Sequence, residues 1–138
     1  MPEPSFGYGV RPGGYPAWAG FPACMRIKRQ RDFERTYATG RSAGDQVLKV
    51  VMVSNGLAFS RLGLSVGKRY GGAIRRNRFK RLAREAFRLN RAQLPQGFDI
   101  IVIPRPQIEP SLEQVAASLV GLTAQVAVRL AGAKEPKQ

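Results

Sequence analysis

The sequence contains no histidine and only one cysteine, Cys24, among its 138 residues. Without histidine, the chain lacks the side chain that most often acts as a general base or a metal ligand near neutral pH. A single cysteine cannot form an internal disulfide, which fits a reducing compartment. No base stands beside Cys24 in the sequence, so we interpret it as an unreactive thiol. These absences exclude histidine-based catalysis and a fold held together by disulfides.

Acidic residues are also scarce, since nine Asp and Glu stand against 23 Lys and Arg. The acids are scattered: Asp32 and Glu34 would point to different sides of a helix, while Asp45, Glu85 and Asp99 stand alone. A two-metal nuclease needs a cluster of carboxylates, so the sequence argues against a stand-alone nuclease and predicts no metal site in the protein. The net charge of +14 instead indicates a polyanionic partner, most commonly nucleic acid.

No apolar run approaches the roughly 20 residues that a membrane-spanning helix needs. Residues 1–24 are rich in glycine, proline and aromatics and do not resemble a signal peptide, so we interpret them as a disordered extension. Residues 132–138 are interpreted as a flexible tail, which leaves one domain over residues 25–131. The sequence therefore predicts a cytoplasmic protein with no membrane partner and no small-molecule substrate.

Hydrophobic periodicity along this domain predicts alternating helices and strands. The predicted helices cover residues 27–39, 73–91 and 111–130, and the predicted strands cover 47–54, 59–66 and 98–103. Asn55-Gly56 is a strong hairpin signal and predicts that the first two strands pair with each other. The strand–helix–strand order over residues 59–103 predicts a parallel pair joined by the middle helix. Two or three strands are expected before the middle helix. With three, the expected fold is α+β, an α/β sandwich of order α-β-β-β-α-β-α on a mostly antiparallel sheet.

The helix predicted over residues 73–91 separates into an apolar side and a basic side at 3.6 residues per turn. The apolar side carries Phe79, Leu82, Ala83, Ala86 and Leu89. The basic side carries Arg76, Asn77, Lys80, Arg81, Arg84, Arg88 and Arg91. Like charges at spacings of three and four destabilise a helix, and Glu85 is the only acid available to offset them. Because Arg and Lys bind phosphates, we interpret this as a nucleic-acid-facing helix, the alternative being an ordinary solvated face.

Two aromatic residues of the first predicted helix, Phe33 and Tyr37, lie one turn apart and share a face. Both residues could be part of the core, which is the usual role of such a pair. Alternatively, they line a groove and offer stacking surfaces to unpaired bases.

The segment over residues 63–88, GLSVGKRYGGAIRRNRFKRLAREAFR, closely resembles the signature of the bacterial ribonuclease P protein subunit. In that family, a strand followed by a basic pair leads into a helix that carries Arg-Asn-Arg and then Lys-Arg. Here the basic pair is Lys68-Arg69, and the helix carries Arg76-Asn77-Arg78 and Lys80-Arg81. The segment over residues 32–37 resembles the first helix of the family. The similarity extends over roughly residues 26–130, which is most of the chain.

The resemblance implies a division of labour within a ribonucleoprotein. In the family, the RNA subunit cuts the 5′ leader from precursor tRNA with Mg²⁺, and the protein binds that RNA and the leader. The residues implied to face the catalytic RNA are Lys68, Arg69, Arg76, Asn77, Arg78, Lys80, Arg81, Arg84 and Arg88. The residues implied to line the leader cleft are Phe33, Tyr37 and Val51.

The resemblance also implies a left-handed β-α-β crossover around the basic helix, which departs from the usual right-handed rule. On the residues alone, a second function remains open. The chain could be a general RNA- or DNA-binding protein, or a ribosome-associated architectural protein, with no role in cleavage.

Overall fold

A computed structural model describes residues 23–133, and the surroundings of side chains are described for residues 24–131. The elements are α1 (Gln30–Thr39), β1 (Arg41–Gly44), β2 (Leu48–Ser54), β3 (Arg61–Leu64), α2 (Ala73–Leu89), β4 (Phe98–Pro104) and α3 (Leu112–Ala133). The predicted order α-β-β-β-α-β-α is therefore confirmed. Residues 1–22, most of the predicted extension, and residues 134–138 of the predicted tail lie outside the described part.

The four strands form one mixed sheet in the order β1-β2-β4-β3. β2 pairs antiparallel with β1 and with β4, and the β2–β4 ladder runs from Leu48 opposite Pro104 to Ser54 opposite Phe98. β3 pairs parallel with β4, and α2 joins these two strands. The expected parallel pair in a mostly antiparallel sheet is confirmed.

The hairpin predicted between the strands on either side of Asn55-Gly56 is wrong, because these strands are β2 and β3 and β4 lies between them. Asn55 and Gly56 do form a turn, with Gly56 at a φ of 74° and the Asn55 side chain accepting a hydrogen bond from the Leu57 amide at 2.7 Å. However, the Asn55 amide donates to the carbonyl of Gly97 at 2.9 Å, just before β4. β4 is buried on both faces and so takes a central position, as a strand apolar on both sides requires.

The two faces of the sheet are covered by different helices. Alternate residues of β2 point to opposite faces of the sheet. Leu48 and Val50 therefore belong to the larger core cluster, which includes residues of α2 and α3. Val51 belongs to a smaller cluster beneath α1, together with Ile27 and Ile101. The molecule therefore has α1 on one face of the sheet and the pair α2 and α3 on the other. This arrangement leaves an outer surface on α2 and a separate surface beside α1.

The first helix starts three residues later than predicted, at Gln30 instead of residue 27. The preceding segment is extended: Arg26 forms a parallel bridge with Leu62, and the Ile27 amide donates to the Leu62 carbonyl at 2.9 Å. This segment covers the edge of β3, whose unpaired backbone groups would otherwise be exposed. Burial of Ile27 against the sheet therefore overrides the helical pattern of the sequence.

The last helix begins with the predicted capping box, in which the Ser111 amide donates to Gln114 Oε1 at 2.9 Å and the Gln114 amide donates to Ser111 Oγ at 3.2 Å. Within the described residues, α3 is the single helix long and apolar enough to cross a membrane by length and composition. The expectation that no segment approaches a span is therefore wrong by that measure. Val115, Leu119 and Val126 are nevertheless buried in the core, so α3 is a core-covering helix.

Candidate nucleic-acid interface

The buried side of α2 is formed by Phe79, Ala83, Ala86 and Phe87. Two details differ from the prediction. Leu89 is 45% exposed, and Phe87, which was not assigned to the apolar side, is buried instead. The helix ends at Leu89 rather than at residue 91, so Leu89 lies in a terminal turn that no longer faces the sheet. The basic side of α2 is consequently turned away from the core.

Most of the cations predicted to bind RNA have no acidic partner in the part of the chain that the structure describes. This group makes no ion pair there, and it consists of Lys68, Arg69, Arg76, Lys80, Arg81 and Arg84. The Nε atom of Arg76 is buried and has no hydrogen-bond partner within the same residues. Asn77, between these cations, is exposed. This side of α2 and the loop before it therefore carry positive charge that no acidic side chain among the described residues neutralises.

The two remaining predicted residues differ from this group. Arg78 lies 3.9 Å from Glu109, at the limit of an ion pair. Arg88 is paired with Glu85 one turn earlier through two hydrogen bonds, and its side chain is only 12% exposed. Glu85 thus neutralises Arg88, at the C-terminal end of the basic side. Arg76, Lys80, Arg81 and Arg84 are left without an acidic partner among the described residues.

The loop before α2 is held in place by Tyr70, which sequence reasoning missed. Lys68–Tyr70 form a 3-10 turn in which Lys68 and Arg69 are exposed and Tyr70 is buried. The Tyr70 ring packs on Phe79 with centroids 5.5 Å apart, and the guanidinium of Arg75 lies 4.6 Å from the Tyr70 centroid. An aromatic residue directly after two cations, in a loop otherwise rich in glycine, was the available signal. It anchors the two cations beside the start of α2.

Arg75 also has a structural role that its position next to Arg76 does not reveal. Its Nη2 atom donates to the carbonyls of Pro106 and Ile108 at 3.2 and 3.0 Å, and its Nη1 atom lies 3.3 Å from Glu109. Arg75 therefore fixes the segment between β4 and α3 against α2. Neighbouring arginines on one helix thus serve two different purposes, one internal and one at the surface.

A small groove of about 200 Å³ opens between α2, β3 and the segment before α1. Its apolar lining comes from Ile27, Phe33, Leu62 and Leu64, and its cations are Arg26, Lys28, Lys80 and Arg84. Burial and the nearby charge of Arg26 lower the pKa of Arg84 from its ordinary value. Like charges therefore crowd at this groove, and an anion would relieve their repulsion.

The surface beside α1 contains the three residues that the family resemblance assigns to a leader cleft. Phe33 is half-buried and packs against the cluster that contains Val51 and Ile101. Val51 is buried, whereas Tyr37 is 47% exposed. The three residues are on the same side of the sheet, with Val51 as its floor. Phe33 is thus partly a core residue, and Tyr37 presents the accessible ring.

Close packing of Phe33 depends on Gly63 in β3. A Cβ atom at this position would lie 3.0 Å from Ile27 Cδ1 and 3.1 Å from Phe33 Cε1, which is tighter than ordinary van der Waals contact. The absence of a side chain at Gly63 therefore lets Phe33 settle against the strand.

Asp99 is the most connected acid in the described protein, and sequence reasoning did not assign it a role. Its side chain is fully buried. Arg61 donates hydrogen bonds to both carboxylate oxygens at 2.8 and 2.7 Å. Asn55 donates a further hydrogen bond at 3.0 Å, and Arg35 donates one at 3.1 Å. Burial alone would raise the pKa of Asp99, but the hydrogen bonds from Arg61 and Asn55 and the charges of Arg61 and Arg35 lower it below its usual value. The Asp99 cluster therefore links α1, β3, β4 and the loop after β2.

No group of three or more His, Cys, Asp or Glu side chains that could hold a metal ion occurs among the described residues. The acids found there, such as Asp99 and Glu85, are engaged by arginines. This part of the chain therefore offers no set of protein ligands that fits a divalent cation.

The sequence profile of the Ribonuclease P family matches residues 21–127, which includes α1, the sheet and all of α2. The chain belongs to the ribonuclease P family. Individual relatives agree: the ribonuclease P protein component of Thermotoga maritima is 42% identical over 90 residues, covering 65% of this chain and 77% of the relative. That of Alkaliphilus metalliredigens is 34% identical over 98 residues, covering 70% and 88%.

Solved structures of ribonuclease P proteins have the same fold. The protein from Thermotoga maritima superposes with a TM-score of 0.68 at 36% identity, covering 73% of this chain and 96% of that one. The protein from Staphylococcus aureus superposes with a TM-score of 0.65 at 35% identity, covering 75% and 94%. As a ribonuclease P protein, the chain is the protein subunit of the ribonucleoprotein that processes tRNA 5′ ends, and its family implies partnership with the ribonuclease P RNA and precursor tRNA.

Proposed function

We propose that α2 and the loop before it bind the catalytic RNA of ribonuclease P through the uncompensated cations. The observation that carries this proposal is that Arg76, Lys80, Arg81 and Arg84 have no ion pair among the described residues, although the opposite side of the same helix is buried. Arginine donates two parallel hydrogen bonds to a phosphate, and lysine contributes a point charge. A rigid helix that presents arginine and lysine side chains at fixed spacing can contact successive phosphates of a folded RNA.

The remaining cations of this surface extend it toward the start of α2. Lys68 and Arg69 are exposed in the turn that Tyr70 anchors, so they can reach the same RNA. Asn77 and Arg78 contribute from the outer side of the helix. Arg88 belongs to the surface more weakly, because Glu85 already occupies its guanidinium.

The surface beside α1 binds the 5′ leader of precursor tRNA in this proposal. Tyr37 offers an exposed ring for base stacking, Phe33 forms the edge of the cleft, and Val51 its floor. Stacking on aromatic rings suits an unpaired leader because every base has a flat apolar face. The two RNA-binding surfaces meet at the small groove, where Phe33 lies beside Lys80 and Arg84, so the protein can hold the leader next to the catalytic RNA.

Cleavage itself is assigned to the RNA subunit, with Mg²⁺ bound mainly by that RNA. The donor set of the described residues supports this assignment, since it does not fit a divalent cation. The protein acts by positioning the leader and by lowering the repulsion between crowded phosphates, which favours cation binding nearby. The holoenzyme acts in the cytoplasm in this proposal.

Reconstitution of the holoenzyme tests this assignment. The purified protein is expected to cut no precursor tRNA, and to restore cleavage when it is added to its RNA at low Mg²⁺. Bovine serum albumin at the same concentration serves as the control. If the RNA alone cleaves equally well at low Mg²⁺, the proposed positioning role is wrong.

The alternative of a general RNA- or DNA-binding protein predicts similar affinity for any RNA of equal length. Membership of the ribonuclease P family weighs against it. Comparing affinities for the ribonuclease P RNA and for a scrambled RNA separates the two functions, because only the proposed function predicts clear preference for the former.

A further inference from the structure

A larger groove opens on the other flank of α1 and adjoins the small groove described above. Its volume is about 720 Å³, and it lies between the segment before α1, α1 itself and the loop after β2. Among the ten described residues that line it, six are cations and Asp32 is the only acid. We call it the second basic groove, and its cations are Arg26, Lys28, Arg29, Arg31, Arg35 and Arg61.

Three of these cations are available to a ligand. Arg61 and Arg35 are engaged by Asp99, and Asp32 lies 3.6 Å from Arg61. By contrast, Lys28, Arg29 and Arg31 are exposed and make no ion pair with any residue that the structure describes. Positive charge without a partner on three nearby residues creates a field that favours a polyanion.

Helix geometry separates this groove from the leader cleft. Arg31 and Phe33 are about 160° apart around α1, and residues four apart share a face. Arg35 therefore lies with Arg31 on one flank, and Tyr37 lies with Phe33 on the other. A leader that stacks on Tyr37 would pass on the opposite flank from the second basic groove.

The groove is instead continuous with the surface of α2. Arg26 and Lys28 line both the second basic groove and the small groove that contains Lys80 and Arg84. A track of cations thus runs from α2 past the segment before α1 to Arg29 and Arg31. None of the described residues that line the second basic groove is aromatic, so they offer charge without stacking, which suits a phosphate backbone better than unpaired bases.

We propose that the second basic groove binds the phosphodiester backbone of the catalytic RNA, as a continuation of the surface on α2. This inference rests on the proposed function, because it assigns a second contact to the same RNA. It extends the RNA-binding surface from α2 around the edge of β3 to the far flank of α1.

Neutral variants of the exposed cations test the inference in the reconstituted holoenzyme. Arg29→Gln and Arg31→Gln remove charge without breaking any ion pair within residues 24–131. Arg41→Gln in β1, at the opposite edge of the sheet, is the matched control. The Arg29→Gln/Arg31→Gln double variant is expected to weaken binding of the catalytic RNA about tenfold and to reduce the salt slope by about one for each charge removed. Arg41→Gln is expected to leave both quantities unchanged. Wild-type affinity and slope for the double variant would overturn the inference.

A variant of α2 distinguishes two results: failure of the inference about the second basic groove, and failure of the proposed function of α2. Arg81→Ala is measured beside the double variant, and the circular dichroism spectrum and melting temperature of each variant verify folding. If Arg81→Ala weakens RNA binding and the double variant does not, the inference about the second basic groove is wrong and the proposed function of α2 stands. If neither variant weakens binding, both proposals fail.

The single cysteine provides a direct readout of what fills the groove. Cys24 lines it and is exposed, so a photoactivatable cross-linker attached there labels the nearest RNA in the complete complex with precursor tRNA. Adducts are expected in the catalytic RNA. Adducts confined to the 5′ leader, or no RNA adduct at all, would contradict the inference.

Discussion

At the scale of single residues, Asp99 explains how so basic a chain holds its first helix in place. A buried carboxylate is costly unless it is paired and hydrogen-bonded, and here three side chains from three segments supply the partners. Arg35 and Arg61 are consequently engaged inside the protein rather than at its surface alone. Asp99 therefore helps to hold α1, and with it the proposed leader cleft, in position.

Replacing Asp99 with Asn should destabilise the protein by about 3 kcal/mol, because the guanidinium of Arg61 loses a buried partner. The free energy of unfolding from urea titration measures the effect. Asp32→Asn is the control, since its contact with Arg61 is longer, at 3.6 Å, and should contribute less than about 1 kcal/mol. Equal effects for the two variants would show that Asp99 does not organise the cluster.

Tyr37 gives the clearest test of the leader cleft among single residues. Because its side chain is 47% exposed, Tyr37→Ala should change the free energy of unfolding by no more than about 0.5 kcal/mol. Loss of one stacked base should weaken binding of precursor tRNA by about 1–3 kcal/mol relative to mature tRNA. The ratio of the two dissociation constants for the holoenzyme is the measurement.

Phe33 complements this test, because it packs partly in the core. Phe33→Leu keeps apolar volume and removes the ring, so a loss of precursor preference without loss of folding would assign stacking to Phe33. An unchanged ratio in both Tyr37→Ala and Phe33→Leu would contradict the proposed cleft.

At the scale of elements, α2 has one side in the core, one end fixed by Arg75 and one surface of uncompensated charge. Adjacent arginines allow these roles to be separated. Arg75→Ala should lower the free energy of unfolding by about 2 kcal/mol, because hydrogen bonds to Pro106 and Ile108 and the contact with the Tyr70 ring are lost.

Arg76→Ala should behave differently, although it is the next residue on the same helix. It has no ion pair among the described residues, and its buried Nε has no partner there, so stability should change little. Affinity for the catalytic RNA should fall by about 1–3 kcal/mol. Urea unfolding and RNA titration of both variants test this contrast, and similar profiles for Arg75→Ala and Arg76→Ala would refute it.

At the scale of the whole molecule, the few acids decide how stability responds to pH. In Asp45, burial alone would raise the pKa, but a hydrogen bond from Ser118 and the amides of Leu48 and Val47 lower it. The pKa of Asp99 is lowered as well. Both carboxylates therefore bind protons less readily in the folded chain than in the unfolded one.

This difference predicts loss of stability in acid. The contribution of both groups is fully present above their unfolded pKa of about 3.9 and is lost as the pH falls through the lower folded values. Protonation also raises the net positive charge, which acts in the same direction. Urea unfolding between pH 3 and 7 should show decreasing stability below about pH 4, with a shallower decrease in Asp99→Asn. Constant or rising stability in that range would contradict the prediction.

The sequence by itself determined the features that depend on local periodicity and local chemistry. The two sides of α2, the buried strand β4 and the capping box of α3 follow from spacings within one turn or one strand, so they could be derived without knowing any neighbour. Charge balance and the absence of histidine indicated an RNA-binding protein without histidine chemistry, and the motif over residues 63–88 indicated the family.

Only the tertiary structure decided which elements pair and which charges are left at the surface. The hairpin signal at Asn55-Gly56 formed a turn, but β4 displaced β3 as the partner of β2 because a strand buried on both faces belongs in the centre of a sheet. Likewise, Arg75 and Arg76 are indistinguishable as residue types, and only the positions of Tyr70 and Glu109 show that Arg75 is engaged by other parts of the protein. Pairing and neutralisation depend on residues distant in sequence, and for that reason local patterns could not determine them.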